Sequence, residues 1–204
     1  MKQITKREAN KLIRSANIIL SDAEIENVDY NSGRILDNQL IEELAECDYV
    51  AEQKNVIITG YVGAGKTYLA SALAKEACRR GIETLCVDYL HFIFTMDKAR
   101  NAKTSSEFME KYLKPELLII DDWLLSGLTD DERMYLFGFL YKRNASTIIC
   151  SSLDKSDWLG KIGGEDCLMG KEIINLVTEN AYEINIQSTT PKKPVSMREI
   201  YSGK

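Results

Sequence analysis

The chain has 204 residues and is poor in the residue types that mark several functional classes. Histidine occurs once, at His91, inside the aromatic stretch Tyr89-Leu90-His91-Phe92-Ile93-Phe94, where a half-buried packing role is expected and no catalytic one. The five cysteines are odd in number and show no C-x-x-C spacing, which argues against a disulfide framework and against a zinc ribbon. Reduced thiols in a cytoplasmic protein are expected instead. No apolar run approaches the roughly 18 residues of a membrane span, and no apolar segment follows the charged start to make an export signal. Excess basic charge is also missing: 26 Lys+Arg stand against 31 Asp+Glu, a net charge of -5, so a DNA partner would have to meet a local basic patch. Proline appears three times, internal repeats are absent, and 45% hydrophobic with 28% charged residues is the composition of an ordinary folded domain.

What is present is a change of period along the chain. Residues 2–20 read as an amphipathic basic helix, a candidate docking arm, followed by a polar segment with turn chemistry at Asn31-Ser32-Gly33 and a helix capped by Asp37. Short apolar runs then alternate with helical patterns. The runs are Val56–Thr59, Thr84–Val87, Leu117–Ile120, Thr147–Cys150 and, more weakly, Tyr182–Ile186; the helices are expected over 66–80, 89–100, 105–113, 130–142 and 170–179. Near-continuous apolar strands separated by helices indicate a parallel sheet covered on both faces, so the fold class is α/β. The expected division is 1–35 as a helical N-terminal arm and linker, 36–187 as the core, and 188–204 as a basic, flexible tail.

Directly after the first apolar run stands Gly60-Tyr61-Val62-Gly63-Ala64-Gly65-Lys66-Thr67, then Tyr68, a match to G-x-x-x-x-G-K-[ST] that opens a helix. Glycines let such a loop turn its backbone N–H groups toward an anion, and the helix start adds positive partial charge. Lys66 is expected at the β- and γ-phosphates of ATP or ADP, and the Thr67 hydroxyl on Mg²⁺. The run Leu117–Ile120 ends in Asp121-Asp122, with Asp121 assigned to the magnesium and Asp122 to orienting the attacking water. The run ending in Ser151-Ser152 places either serine to touch that water or the γ-phosphate, turn formation being the alternative. A P-loop NTPase of the additional-strand type is expected, with five parallel strands in the order 5-1-4-3-2.

From about Ala23 to Tyr201 the chain resembles the IstB/DnaC-like family of AAA+ ATPases, nearest to its IstB branch. The resemblance rests on Asn55–Thr67, Leu69–Leu73, Ala77–Gly81, Leu117–Leu125, Ala145–Ser151, Asn180-Ala181-Tyr182 and the terminal Ser196-Met197-Arg198. It implies an ATP-hydrolysing helper of transposition that forms nucleotide-dependent homo-oligomers on duplex DNA and serves a transposase. A loader of a replicative helicase is the alternative within the family.

Three departures qualify that picture. The arginine usual just before the last strand, which completes a neighbouring subunit's active site, is replaced by Ile174-Asn175-Leu176-Val177. Loss of such a finger lowers rate by about 10³ or more, so a nucleotide-gated adaptor with little hydrolysis is a further alternative, unless Arg143 substitutes. Asp122 stands where Glu is common, and the N-terminal region looks short for the family. In this branch DNA contacts are expected near Lys98, Arg100, Lys103, Lys111 and Lys114, although Glu107, Glu110 and Glu116 alternate with them. Asp154-Lys155-Ser156-Asp157 resembles a guanine-reading motif, but an ionised carboxylate at its first position accepts hydrogen bonds and cannot donate them. Trp123 and Trp158 read as packing residues.

Overall fold

The structure, a computed structural model, describes residues 4–190, 192 and 194–201. Lys193 and Lys204 of the basic tail, and the first residues of the helix expected over 2–20, lie outside that set. Five strands form where the apolar runs predict them: β2 (Val56–Gly60), β3 (Thr84–Asp88), β4 (Leu117–Asp121), β5 (Ser146–Ser151) and β6 (Tyr182–Ser188). They pair in parallel in the order β6-β2-β5-β4-β3, the expected 5-1-4-3-2.

The sheet has a sixth strand. β1 (Arg34–Ile35) pairs antiparallel with the end of β6, Arg34 opposite Ser188 and Ile35 opposite Gln187. A two-residue strand carries no readable period, so the five-strand expectation is corrected by one short edge strand in the segment read as a polar linker.

Alternation along the strands sends successive side chains to opposite faces. Ile57, Leu118, Ile120 and Ile149 enter one core, with α5 (Tyr89–Asn101), α6 (Ser105–Leu113), α7 (Asp130–Lys142), α8 (Lys155–Ile162) and α9 (Leu168–Thr178) on that side. Val56, Ile58, Leu117, Ile119 and Ile148 enter the other, under α4 (Lys66–Arg79), α2 (Asn38–Ala45) and the one-turn α3 (Asp48–Ala51). Phe92 anchors the first core with ring centroids 5.0–5.3 Å from Tyr112, Phe139 and Phe108. Trp123 and Trp158 lie edge-on to each other in the same core, so the packing reading of both holds. His91 is exposed on α5 beside the Thr95 hydroxyl, not half-buried.

The N-terminal helix α1 (Lys6–Ser15) starts at a capping box in which Glu8 N–H donates to Thr5 Oγ1 and Thr5 N–H to Glu8 Oε2. Ala9 and Ala16 are buried against α4 and β3, and Cys86 N–H of edge strand β3 donates to Ala16 O at 2.7 Å. Glu24 then pairs with Lys75 and Arg79 of α4. The arm is therefore laid along the core, covering one sheet edge as β1 covers the other. The expected flexible tail also has a seat: residues 195–197 lie across the loop after β2, with Met197 buried, and α10 (Met197–Tyr201) follows.

Candidate nucleotide-binding site

β2 delivers the chain at Gly60 to a loop that α4 closes. Gly63 and Gly65 take φ of +85° and +98°, conformations that side-chain-bearing residues seldom adopt. Crowding adds a second requirement. A Cβ on Gly63 would stand 2.6 Å from Ser196 Oγ, and one on Gly65 would overlap Arg34 Nη1. The Ala64 N–H donates back to Tyr61 O at 3.1 Å, and Leu69 N–H to Gly65 O begins the helical ladder. Among the described residues, no acceptor takes the N–H groups of Gly63, Gly65, Lys66 or Thr67. These are the orphan donors of a loop and a helix start, gathered at the positive end of a 14-residue helix.

Lys66 is 5% exposed, and its Nζ donates to Gly60 O at 2.8 Å and Tyr61 O at 3.0 Å. Burial lowers its pKa, opposed chiefly by Cys150, Asp121 and Asp122. Asp121, 4% exposed at the end of β4, has Oδ1 without a hydrogen-bond partner. Burial raises its pKa, while the neighbouring Thr67 hydroxyl favours its charged form. Magnesium takes oxygen ligands from carboxylates, hydroxyls and phosphates, so the unpartnered Oδ1 beside Thr67 fits it.

Asp122 turns away from the strand with φ +54°, a left-handed conformation that Asp tolerates better than most. The following loop is sewn to β5 by Trp123 N–H donating to Cys150 O at 2.7 Å. Ser151 belongs to that seam: its buried hydroxyl donates to Trp123 O at 3.0 Å and accepts from Leu153 N–H. Ser152, next along, is exposed. Among the loop side chains, Tyr61 Oη donates to Val195 O at 3.0 Å and Val62 points to solvent at 76% exposure. The Tyr68 hydroxyl is committed to the backbone of Glu24. Asp154, which begins the guanine-like tetrapeptide, instead precedes α8.

Two elements were not anticipated at the site. Arg34 of β1 reaches the loop, and the tail lies on it through Met197 N–H to Gly63 O at 2.9 Å. Ser196-Met197-Arg198 was the only sign of the second in the sequence; a lone arginine in a polar segment gave no sign of the first.

The Arg143 side chain does not project from the surface. It is buried at the amino end of β5, and its guanidinium donates to Thr147 Oγ1 and to the carbonyls of Tyr112, Leu113, Pro115 and Ser146 at 2.8–3.4 Å. Burial lowers its pKa to about 10. The suggestion that it substitutes for the missing arginine is corrected accordingly. Of the basic residues expected at DNA, Arg100 is paired with Asp97 and Asp131, while Lys98 and Lys111 lie over the rings of Phe94 and Tyr112.

Comparison with known proteins bears on the chain as a whole. The family model described as IstB-like ATP binding protein matches residues 2–196. The insertion sequence IS1162 putative ATP-binding protein of Pseudomonas fluorescens is 33% identical over 155 residues, covering 74% of this chain and 66% of that protein. The IS5376 counterpart of Geobacillus stearothermophilus is 27% identical, covering 71% of this chain and 58% of its own length. The chain thus spans about three-fifths of such relatives. Among solved structures, DnaI superposes with a TM-score of 0.66 at 23% identity, covering 91% of this chain and all of that one. AMPPCP-bound DnaA from Aquifex aeolicus gives 0.65 at 22%, covering 84% of this chain and 52% of that one.

Proposed function

We propose, from the premise that this chain belongs to the IstB-like ATP binding protein family, that it binds ATP with magnesium, hydrolyses it and serves as a helper of transposition in the cytoplasm. One observation carries the nucleotide reading: the buried, unpartnered Oδ1 of Asp121 lies in the same site as Lys66, Thr67 and the unengaged N–H groups of the loop. A polar atom so placed is costly unless something binds it. The loop amides and Lys66 are suited to bind and orient the phosphates, and Thr67 with Asp121 to hold magnesium, which when bound neutralises phosphate charge. Asp122 is the residue assigned to orient the attacking water, and exposed Ser152, not Ser151, is the serine free to sense the γ-phosphate.

The family supports a reading of the partners. Duplex DNA and a transposase are proposed, with assembly into homo-oligomers controlled by nucleotide. For DNA the exposed face of α1 is the best candidate surface. Arg7, Lys11 and Arg14 fall at i, i+4 and i+7 opposite buried Ala9, and none has an ion-pair partner among the described residues. No helix among the described residues is long and apolar enough to cross a membrane.

A second reading has a specific observation in its favour. With Arg143 buried and Lys171 and Asn175 on the exposed face of α9, that face offers no arginine to a neighbour, as a nucleotide-gated adaptor would have it. ATP hydrolysis measured with and without duplex DNA, beside sizing in ATP and in ADP, separates the two. DNA-stimulated phosphate release supports the helper ATPase. ATP-dependent assembly at background release supports the adaptor, and failure of calorimetry to detect Mg-ATP uptake ends both.

A further inference from the structure

A P-loop works only if its peptide planes are turned so that N–H groups face the phosphate. In a trans peptide the C=O and N–H point in opposite directions, so whatever holds a carbonyl on the outside fixes the amide on the inside. In this chain two of those carbonyls are held from elements outside the loop: Met197 N–H takes that of Gly63, and Arg34 Nη1 takes that of Ala64 at 2.5 Å. The carbonyl of Ala64 belongs to the same peptide unit as the N–H of Gly65.

Arg34, like Arg143, is a buried arginine without an ion pair among the described residues, but one of its acceptors is a carbonyl of the P-loop. Arg34 is 8% exposed, and its Nε and Nη2 donate to Asp29 O at 3.2 and 2.9 Å. The nearby carboxylate of Asp29 is occupied by Tyr201 Oη at 2.8 Å and Asn31 N–H at 2.8 Å. The guanidinium is thus a buried cation spent wholly on backbone carbonyls, one in the linker and one in the P-loop. Taking a cation out of water is expensive, and the nearby Asp29 charge offsets the burial only in part. The space is equally committed, because Arg34 Nη1 occupies the place a Cβ of residue 65 would need.

We propose that Arg34 is a positioning residue for the nucleotide: by gripping the Ala64 carbonyl from outside the loop it fixes and polarises the Gly65 N–H as a phosphate donor. The effect has two parts. Orientation is set by the geometry of the peptide unit, and a cation on the oxygen draws charge from the nitrogen and strengthens its N–H, as in any chain of hydrogen bonds. Two-residue strand β1 has a purpose on this view: it registers Arg34 against the end of β6, beside the loop. The inference rests on the nucleotide reading above.

The test uses the full chain with Arg34→Met, Arg34→Gln and, as a control at the same corner, Tyr201→Phe, which removes the hydrogen bond to Asp29. Affinities for Mg-ATP and ADP are measured by calorimetry, thermal midpoints without nucleotide, and the Gly65 amide proton shift in ¹⁵N-labelled protein. Arg34→Met should weaken both nucleotides about tenfold, the order expected for losing a hydrogen bond to a charged group. It should also move the nucleotide-free Gly65 amide upfield, and Arg34→Gln should fall between. Tyr201→Phe should leave affinity and the Gly65 amide unchanged. Folded Arg34→Gln or Arg34→Met with wild-type affinities, an unmoved Gly65 amide, or an equal loss in Tyr201→Phe would each overturn the assignment. If Arg34→Met does not fold, Arg34→Gln and its amide shift decide the matter. Failure of the unsubstituted chain to bind nucleotide overturns the nucleotide reading and this inference together, an outcome distinct from loss confined to Arg34 variants.

Discussion

Lys66 and Asp121 are buried in one site with opposite charges, yet they do not bond to each other. The ammonium is engaged by Gly60 O and Tyr61 O, and the carboxylate keeps Oδ1 free. Each favours the other's charged form, but burial is the larger influence on both, lowering Lys66 and raising Asp121. The site therefore stores polar capacity that folding alone does not use.

Asp121→Asn should reveal that storage. Because the folded-state pKa of Asp121 lies above 3.8, the folded chain retains a proton that the unfolded chain releases, and the contribution of this group falls as pH rises through that interval. At neutral pH the charged group is a net burden on the nucleotide-free protein. The amide should raise stability by about 1 kcal/mol, roughly 2–4 °C in thermal midpoint, while removing the magnesium dependence of ATP affinity. Scanning calorimetry at pH 7 and pH 4.5 checks the sign: the gain should shrink at the lower pH. A lower midpoint at pH 7 with intact magnesium dependence would contradict it.

Arg143→Lys should behave as a fold variant. A lysine ammonium cannot fork to Thr147, Ser146, Pro115 and Tyr112 at once, which leaves buried carbonyls unpaired. A loss of about 3 kcal/mol, near 6–12 °C, is expected, with the Mg-ATP affinity of folded protein unchanged. Wild-type stability combined with selective loss of hydrolysis would restore it as a catalytic group.

How much of this was readable from residues alone depended on the kind of contact. The parallel strands were legible because burial on both faces writes continuous apolar runs such as Leu117–Ile120, and the loop because its chemistry demands Gly63, Gly65, Lys66 and Thr67 in fixed order. Strand β1 was not, since two residues display no period. Helix α8 was hidden because its start, Asp154-Lys155-Ser156-Asp157, carries turn formers and a motif-like spacing. The seat of the tail escaped because it is made by backbone atoms, Met197 N–H on Gly63 O, about which side-chain types are silent. Arg34 acquires meaning only after β1 brings it to Ala64.

The free face of α1 should carry DNA affinity. Replacing Arg7, Lys11 and Arg14 with Gln leaves the buried Ala9 and the Thr5–Glu8 capping box untouched, so the fold is retained. If all three meet phosphates, the slope of log affinity against log salt should fall by about 2–3 units, and affinity should drop most at low salt. The corresponding change at Lys98, Lys103 and Lys111 should have the smaller effect. Filter binding to a duplex at several salt concentrations decides between the surfaces, and an unchanged slope in the α1 triple variant removes that helix from the interface.

The two serines after β5 should separate fold from chemistry. Ser151→Ala removes the donor to Trp123 O and the acceptor of Leu153 N–H inside a fully buried seam, so it should lower stability by about 1–3 kcal/mol. Trp123 follows the acid pair directly, so loosening the seam should also blur the placement of Asp122, lowering hydrolysis without much change in ATP affinity. Ser152→Ala breaks no hydrogen bond among the described residues and should leave the thermal midpoint within about 1 °C, as surface substitutions usually do. If its hydroxyl touches the γ-phosphate, ADP affinity stays constant while ATP affinity or turnover falls severalfold. ATP and ADP affinities and turnover all unchanged from wild type in Ser152→Ala would leave β5 with a purely architectural end.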